Sequence, residues 1–163
     1  MKQSPLRIEK ATPNDVPLIL AFVRQLAEYE RLLDSVTADE GRIHAAMFGP
    51  KAFVECVIAY LDDEPVAFSI YYFNYSSFTA LPGLYLEDIF VRPDARGTGV
   101  GFQLFTYLAQ KAIERGCGRM EWAVLDWNQT AVRFYQKLHA EPVQGWTIFR
   151  LSSEQLKELA NAT

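Results

Sequence analysis

Leu84-Tyr85-Leu86-Glu87-Asp88-Ile89-Phe90-Val91 runs through Arg92-Pro93-Asp94-Ala95 into Arg96-Gly97-Thr98-Gly99-Val100-Gly101. The first stretch is apolar and reads as a strand. The last opens a helix, because Phe102, Phe105, Leu108-Ala109 and Ala112-Ile113 recur at helical spacing until Gly116 stops them. Between strand and helix lies a glycine-spaced loop. Gly97, Gly99 and Gly101 lack a Cβ, so their backbone can approach a bulky anion. The first amides of a helix have no internal partners and sit at the positive end of its dipole. A pyrophosphate satisfies both conditions, and Arg96 can add a charge-assisted contact. Two common nucleotide patterns are excluded: Phe102-Gln103 stands where a Walker loop needs Lys-Ser/Thr, and Phe102 where a dinucleotide fingerprint needs its third glycine.

Working outward, Leu6 to Ala11 alternates as a first strand. Thr12-Pro13-Asn14-Asp15 starts a helix whose apolar face is Val16, Ile19, Leu20, Val23 and Leu26-Ala27, ending near Tyr29. Thr37-Ala38-Asp39-Glu40 starts a second helix that stops at Gly49-Pro50. Ala52–Leu61 and Val66–Tyr75 form a hairpin across Asp62-Asp63-Glu64-Pro65, and Ser76 to Gly83 is a loop. After the glycine loop come a strand at Met120–Leu125 and a helix at Gln129–Leu138 capped by Asn128. A final strand at Val143–Leu151 and a short terminal helix at Ser152–Ala160 close the chain. The alternation predicts an α/β fold: a mixed, mostly antiparallel sheet with helices on both faces, in one domain over residues 1–163.

Half of the 163 residues are hydrophobic and 22% are charged, a balance that builds a core and excludes a disordered chain. A net charge of -4 argues against a nucleic-acid partner. No apolar span of membrane length and no signal-peptide core occur; Met1-Lys2-Gln3-Ser4-Pro5 leads straight into the first strand. Cys56 and Cys117 match no metal or redox spacing and read as reduced thiols of a cytoplasmic protein, with no metal site.

Several residues carry chemistry in their own right. Glu87 and Asp88 are adjacent acids inside an apolar strand. Regular alternation sends them to opposite faces, so one is inward and lies at a site or at a strand irregularity. Tyr135 follows Asn128 by seven residues, about two helical turns, so the two share a helix side.

Arg96-x-x-Gly99-x-Gly101 after a strand resembles the coenzyme A pyrophosphate loop of the GNAT N-acetyltransferases, and the element order resembles theirs along nearly the whole chain. Leu84 to Val91, Ala123-Val124-x-x-Trp127-Asn128, Asn128 with Phe134-Tyr135, and Leu26-Ala27-x-Tyr29-Glu30 are similar to the diamine acetyltransferase group, which includes spermidine/spermine and thialysine acetyltransferases.

The resemblance implies acetyl-CoA as cosubstrate, direct attack of a primary amine in a ternary complex, and a homodimer. It implies that Tyr135 protonates the leaving thiolate; a phenol with a pKa of about 10 suits that task. Glu87 is implied as the general base, working through water. The backbone of Ile89, Phe90 and Val91 is implied to pair with the pantetheine arm. Arg96, Gly97, Thr98, Gly99, Val100 and Gly101 would hold the pyrophosphate, with Asn128 and Phe134 also on the coenzyme. Tyr29, Glu30, Asp88 and Trp146 are implied to meet the small cationic substrate. A coenzyme A-binding sensor with little catalysis is the alternative from another class.

The match departs from the polyamine pattern twice. Polyamine acetyltransferases carry Asp-Pro-Trp where this chain has Ser76-Ser77-Phe78, and Glu-Gly-Trp where it has Gln144-Gly145-Trp146. Two carboxylates fewer favour a compact amine, such as a lysine-like amino acid, over a long polycation.

Overall fold

The computed structural model describes residues 6–162, so Met1 to Pro5, expected to lead into the first strand, lie outside the described residues. The chain divides between Ala123 and Val124 into two compact units. In the first, β1 (Arg7–Lys10), β2 (Glu55–Leu61), β3 (Glu64–Ser76), β4 (Leu81–Val91) and β5 (Arg119–Trp122) form one sheet in the order β1-β2-β3-β4-β5. Neighbours from β1 to β4 are antiparallel; β5 joins β4 in parallel after a crossover through α3 (Val100–Glu114). The expected mixed, mostly antiparallel sheet is present.

Helices cover both faces of this sheet. On one face, α1 (Val16–Tyr29) and α2 (Glu40–Phe48) bury Ile19, Phe22, Leu26 and Ile43 against Cys56, Ile58, Phe68, Ile70 and Phe90. The Phe22 ring stacks on Phe68 with centroids 5.2 Å apart and meets Phe90 edge-on at 6.4 Å. On the other face, α3 buries Leu104, Phe105 and Leu108, with Phe105 edge-on to Trp122 at 5.0 Å. Just past its end Arg115 pairs with Glu55 at 3.1 Å, and Glu55 also accepts from the Tyr71 hydroxyl at 3.2 Å. Tyr71 follows Ile70 on β3 and therefore points away from α1.

Local chemistry explains the boundaries. The carboxylate of Asp15 accepts from the backbone N–H of Thr12 at 2.7 Å and from its hydroxyl at 2.8 Å, fixing the entry to α1. Asp62 and Asp63 adopt φ of 51° and 63°, the left-handed pair that closes a two-residue hairpin in step with the strand twist.

Asp39, within the expected start Thr37-Ala38-Asp39-Glu40, caps α2 by accepting from the Arg42 N–H at 2.9 Å. Three expectations need correction. The loop expected from Ser76 to Gly83 shrinks to residues 77–80, because β3 and β4 pair as far as Ser76 and Leu81. In α3, Phe102 and Ile113 face solvent; the buried stripe is Val100, Leu104, Phe105, Leu108 and Ala112. The strand expected at Val143–Leu151 does not form. The second unit holds α4 (Gln129–Lys137) and α5 (Ser153–Ala160) and offers no extended neighbour for it, so Val143, Trp146, Ile148 and Phe149 stay exposed. Strand propensity is realised only against a partner.

The pairing of β4 with β3 is interrupted once. Ile70 lies opposite Asp88 and Tyr71 opposite Leu86, so Glu87 is an extra residue with no counterpart, a β-bulge.

Candidate active site

The bulge reverses the expectation that Glu87 and Asp88 face opposite ways. Asp88 pairs with Ile70, which lies on the α1 face. Tyr85 pairs with Tyr72, two residues along β3 from Ile70 and so on that same face, and Glu87 follows Tyr85 by two. Both carboxylates therefore stand on the α1 side of the sheet. Their electrostatics agree. Burial, joined by the charges of Glu87 and then Glu30, pushes the Asp88 carboxyl up to about 6. Burial also raises Glu30, at the C-terminal cap of α1. The phenols of Tyr72 and Tyr85 are raised by burial and by Glu87, their rings 5.2 Å apart. Cys56, in register with Ile70, is pushed well above the usual thiol range by burial, with Asp15 and Asp88 contributing. Three carboxylates on one face suit a cation, and one of them, Asp88, titrates near pH 6, closer to neutrality than an ordinary carboxylate.

Past the bulge, β4 has an open side. It pairs with β3 as far as Val91, whereas β5 pairs with it only over Gly83 to Leu86. The outer edge at Ile89, Phe90 and Val91 therefore has no strand neighbour among the described residues. One carbonyl there is occupied: Arg96 Nε donates to Val91 O at 3.0 Å.

The loop between β4 and α3 has the geometry an anion needs. Gly97 and Gly99 sit at φ of 79° and 90°, and a Cβ added at either would meet no atom within 4 Å. Gly99 caps α3 in the left-handed conformation, which leaves the first amides of a 15-residue helix facing outward. Thr98 braces the turn through its hydroxyl, which donates to Ala95 O at 2.7 Å. Thr98, Gly99 and Val100 also line a cleft of about 760 Å³ with Gln103, Tyr107 and Leu61. The bare, forward-facing backbone fits a pyrophosphate, and the Arg96 side chain lies on aromatic rings. Its guanidinium lies over the Tyr29 ring at 4.5 Å and the Phe90 ring at 5.7 Å. Sequence reading misses that contact, which has no periodic or motif signature.

The second unit carries the remaining candidates. Asn128 caps α4 by accepting from the Ala131 N–H at 3.2 Å. Phe134 and Tyr135, both half-buried, meet edge-on at 5.8 Å. Trp146 follows Gly145, whose φ is 80°, and is exposed.

Comparison with known proteins points one way. The model of the Acetyltransferase (GNAT) family matches residues 22–140. The thialysine N-epsilon-acetyltransferase of Sus scrofa is 38% identical over 164 residues, covering 94% of this chain and 96% of its own length. The L-ornithine N5-acetyltransferase of Arabidopsis thaliana is 29% identical over 94% of this chain and 87% of its own length. An integron cassette protein from the mobile metagenome of V. cholerae superposes with a TM-score of 0.81 over 98% of this chain and 99% of its own, at 24% identity, a likeness of fold. With its sheet, its glycine loop and a family match over most of its length, the chain belongs to the acetyltransferase (GNAT) family and is an N-acetyltransferase.

Proposed function

We propose that this chain transfers the acetyl group of acetyl-CoA to the terminal primary amine of a small cationic acceptor, a lysine-like amino acid such as thialysine or a short diamine. The observation that carries the proposal is the bulge that sets Glu87 and Asp88 side by side, next to an open strand edge and a phosphate-ready loop. Gly97 to Gly101 hold the pyrophosphate through backbone amides. The open edge at Ile89 and Phe90 receives the pantetheine arm as an added strand; the Val91 carbonyl is already taken by Arg96. Asn128 and Phe134 contact the coenzyme. Glu30, Asp88, Tyr29 and Trp146 hold the acceptor.

The reaction needs a deprotonated amine, a held thioester and a protonated leaving group. Glu87 and Asp88 act as a coupled pair that receives the ammonium proton, with water between Glu87 and the amine. An acceptor raised toward neutrality takes a proton from an ammonium more readily than an ordinary carboxylate does. The amine attacks the thioester carbonyl, and Tyr135 gives its proton to the departing thiolate. The whole chain serves as one catalytic domain, residues 1–163, in a cytoplasmic homodimer. No described helix is long and apolar enough to cross a membrane.

Two relatives support the acceptor. Both the thialysine and the L-ornithine enzymes are named for amino acids whose side chains end in an amine. The sequence also has a serine, Ser76, and a glutamine, Gln144, where the polyamine pattern has acids. An acetyl-CoA consumption screen tests this: kcat/KM with thialysine, lysine and ornithine exceeds that with spermidine. Equal or higher efficiency with spermidine removes the amino-acid assignment.

The pair also sets a pH dependence. Asp88 must be ionised to accept a proton, so log kcat/KM falls with a slope of one as pH drops below about 6. Glu87 helps raise Asp88, so Glu87→Gln moves this acid limb to lower pH as well as slowing turnover. A limb that stays in place in Glu87→Gln separates the two acids.

A further inference from the structure

Arg96 opens the phosphate loop, and a phosphate contact is the obvious task for it. Its geometry describes another. The guanidinium lies over the Tyr29 ring, 4.5 Å from its centroid, and over the Phe90 ring, 5.7 Å from its centroid. Its Nε donates to Val91 O at 3.0 Å. Phe90 is buried and packs against Phe22 of α1, so this platform is anchored in the core. Tyr29 is the last residue of α1, and the next residue, Glu30, is one of the charges that raise Asp88.

We infer that Arg96 is a positioning residue for the acceptor side of the site: by clamping the Tyr29 ring onto the end of β4 it fixes the last turn of α1, and with it where Glu30 faces Asp88. This rests on the acetyl-transfer reading of the site. A purely electrostatic role toward the acids does not fit, since Glu30 is raised by burial, and Asp88 by burial and by other carboxylates. The clamp needs a flat cation that stacks on a ring while its edge bonds a carbonyl. Arginine offers that shape; lysine is a compact point charge without a planar fork. The loop, the open β4 edge and the amine-binding end of α1 thus meet at one side chain, and coenzyme binding is left to the glycine amides.

A double-mutant cycle tests the clamp. Arg96→Gln, Tyr29→Leu and the double variant are compared by amine KM at saturating acetyl-CoA. Thialysine Kd is also measured by calorimetry on protein loaded with coenzyme A, which needs no turnover. Each single variant weakens thialysine about three- to fivefold, the worth of one exposed cation–π contact. The double variant is no weaker than the worse single, and Arg96→Lys does not restore wild-type affinity. Tyr29→Phe, which keeps the ring, retains the full penalty of Arg96→Gln and covers the case in which Tyr29→Leu fails to fold. Multiplicative penalties in the double variant overturn the clamp. So does an Arg96→Gln protein that loses coenzyme affinity with its thialysine affinity intact. A wild-type protein that binds thialysine without acetylating it counts against the acetyl-transfer reading and leaves the binding cycle to decide the clamp.

Discussion

Tyr135→Phe lowers kcat by about a hundredfold or more while the coenzyme A Kd and the amine KM change little. General-acid catalysis by one side chain contributes about 10²- to 10⁴-fold, and a phenylalanine keeps the ring's packing while removing the only proton the residue can give. The substitution is also gentle on the fold. Tyr135 lies on α4 beside Phe134, with centroids 5.8 Å apart, and that edge-on contact belongs to the ring and not to the hydroxyl. Rapid-quench measurement of the acetyl product across pH separates the roles. Loss confined to kcat marks an interaction made in the transition state, whereas a rise in KM alone marks a binding contact. Turnover equal to wild type takes Tyr135 out of the chemistry.

Gly99→Val weakens coenzyme A binding by one to two powers of ten, the equivalent of about 1–3 kcal/mol of backbone strain. Gly99 has φ of 90° at the N-terminal cap of α3, and open space surrounds the position where a Cβ would go. Steric collision with the protein is therefore not the cause. A β-branched residue resists that φ and turns the loop, and its side chain fills the surface from which an anion approaches. Gly116→Val is the matched control. Gly116 ends α3 at φ of 69°, also with nothing within 4 Å of an added Cβ, but it lies at the far end of the helix. It loses melting temperature and keeps coenzyme affinity. Calorimetric titration of both variants gives the comparison, and equal losses of affinity would show that strain rather than the loop is responsible.

How far these features can be read in the residues depends on how local their causes are. The α1 cap is written in Thr12 and Asp15, three residues apart, and the α4 cap in Asn128, so both are legible. The glycine loop is legible for the same reason, since positive φ and a bare backbone are properties of Gly97 and Gly99 alone. The stripe on α3 is half legible. Its period is correct, but which apolar residues face the sheet depends on how the helix rolls, and the roll leaves Phe102 and Ile113 outside. The two adjacent acids signal an irregularity in β4. The direction of its effect is hidden, because a bulge is defined by the partner strand, and no property of Glu87 says that Ile70 and Tyr71 lie opposite Asp88 and Leu86. The Arg96–Tyr29 contact joins residues 67 positions apart and needs the fold before it exists. Residues 143–151 show the converse: their composition is that of a strand, and their unit holds no neighbour to make them one.

The open edge of β4 has a consequence for solubility. A strand that leaves its N–H and C=O groups unpaired to receive a ligand is equally a template for another polypeptide, which is how sheets join edge to edge. Here the exposure is kept short. β5 covers the strand up to Leu86, the bulge at Glu87 adds twist and a negative charge where a second chain would have to lie flat, and Arg96 occupies the carbonyl of Val91 at the far end. What remains suits a slender pantetheine-like chain and is too brief and too charged to nucleate a growing sheet.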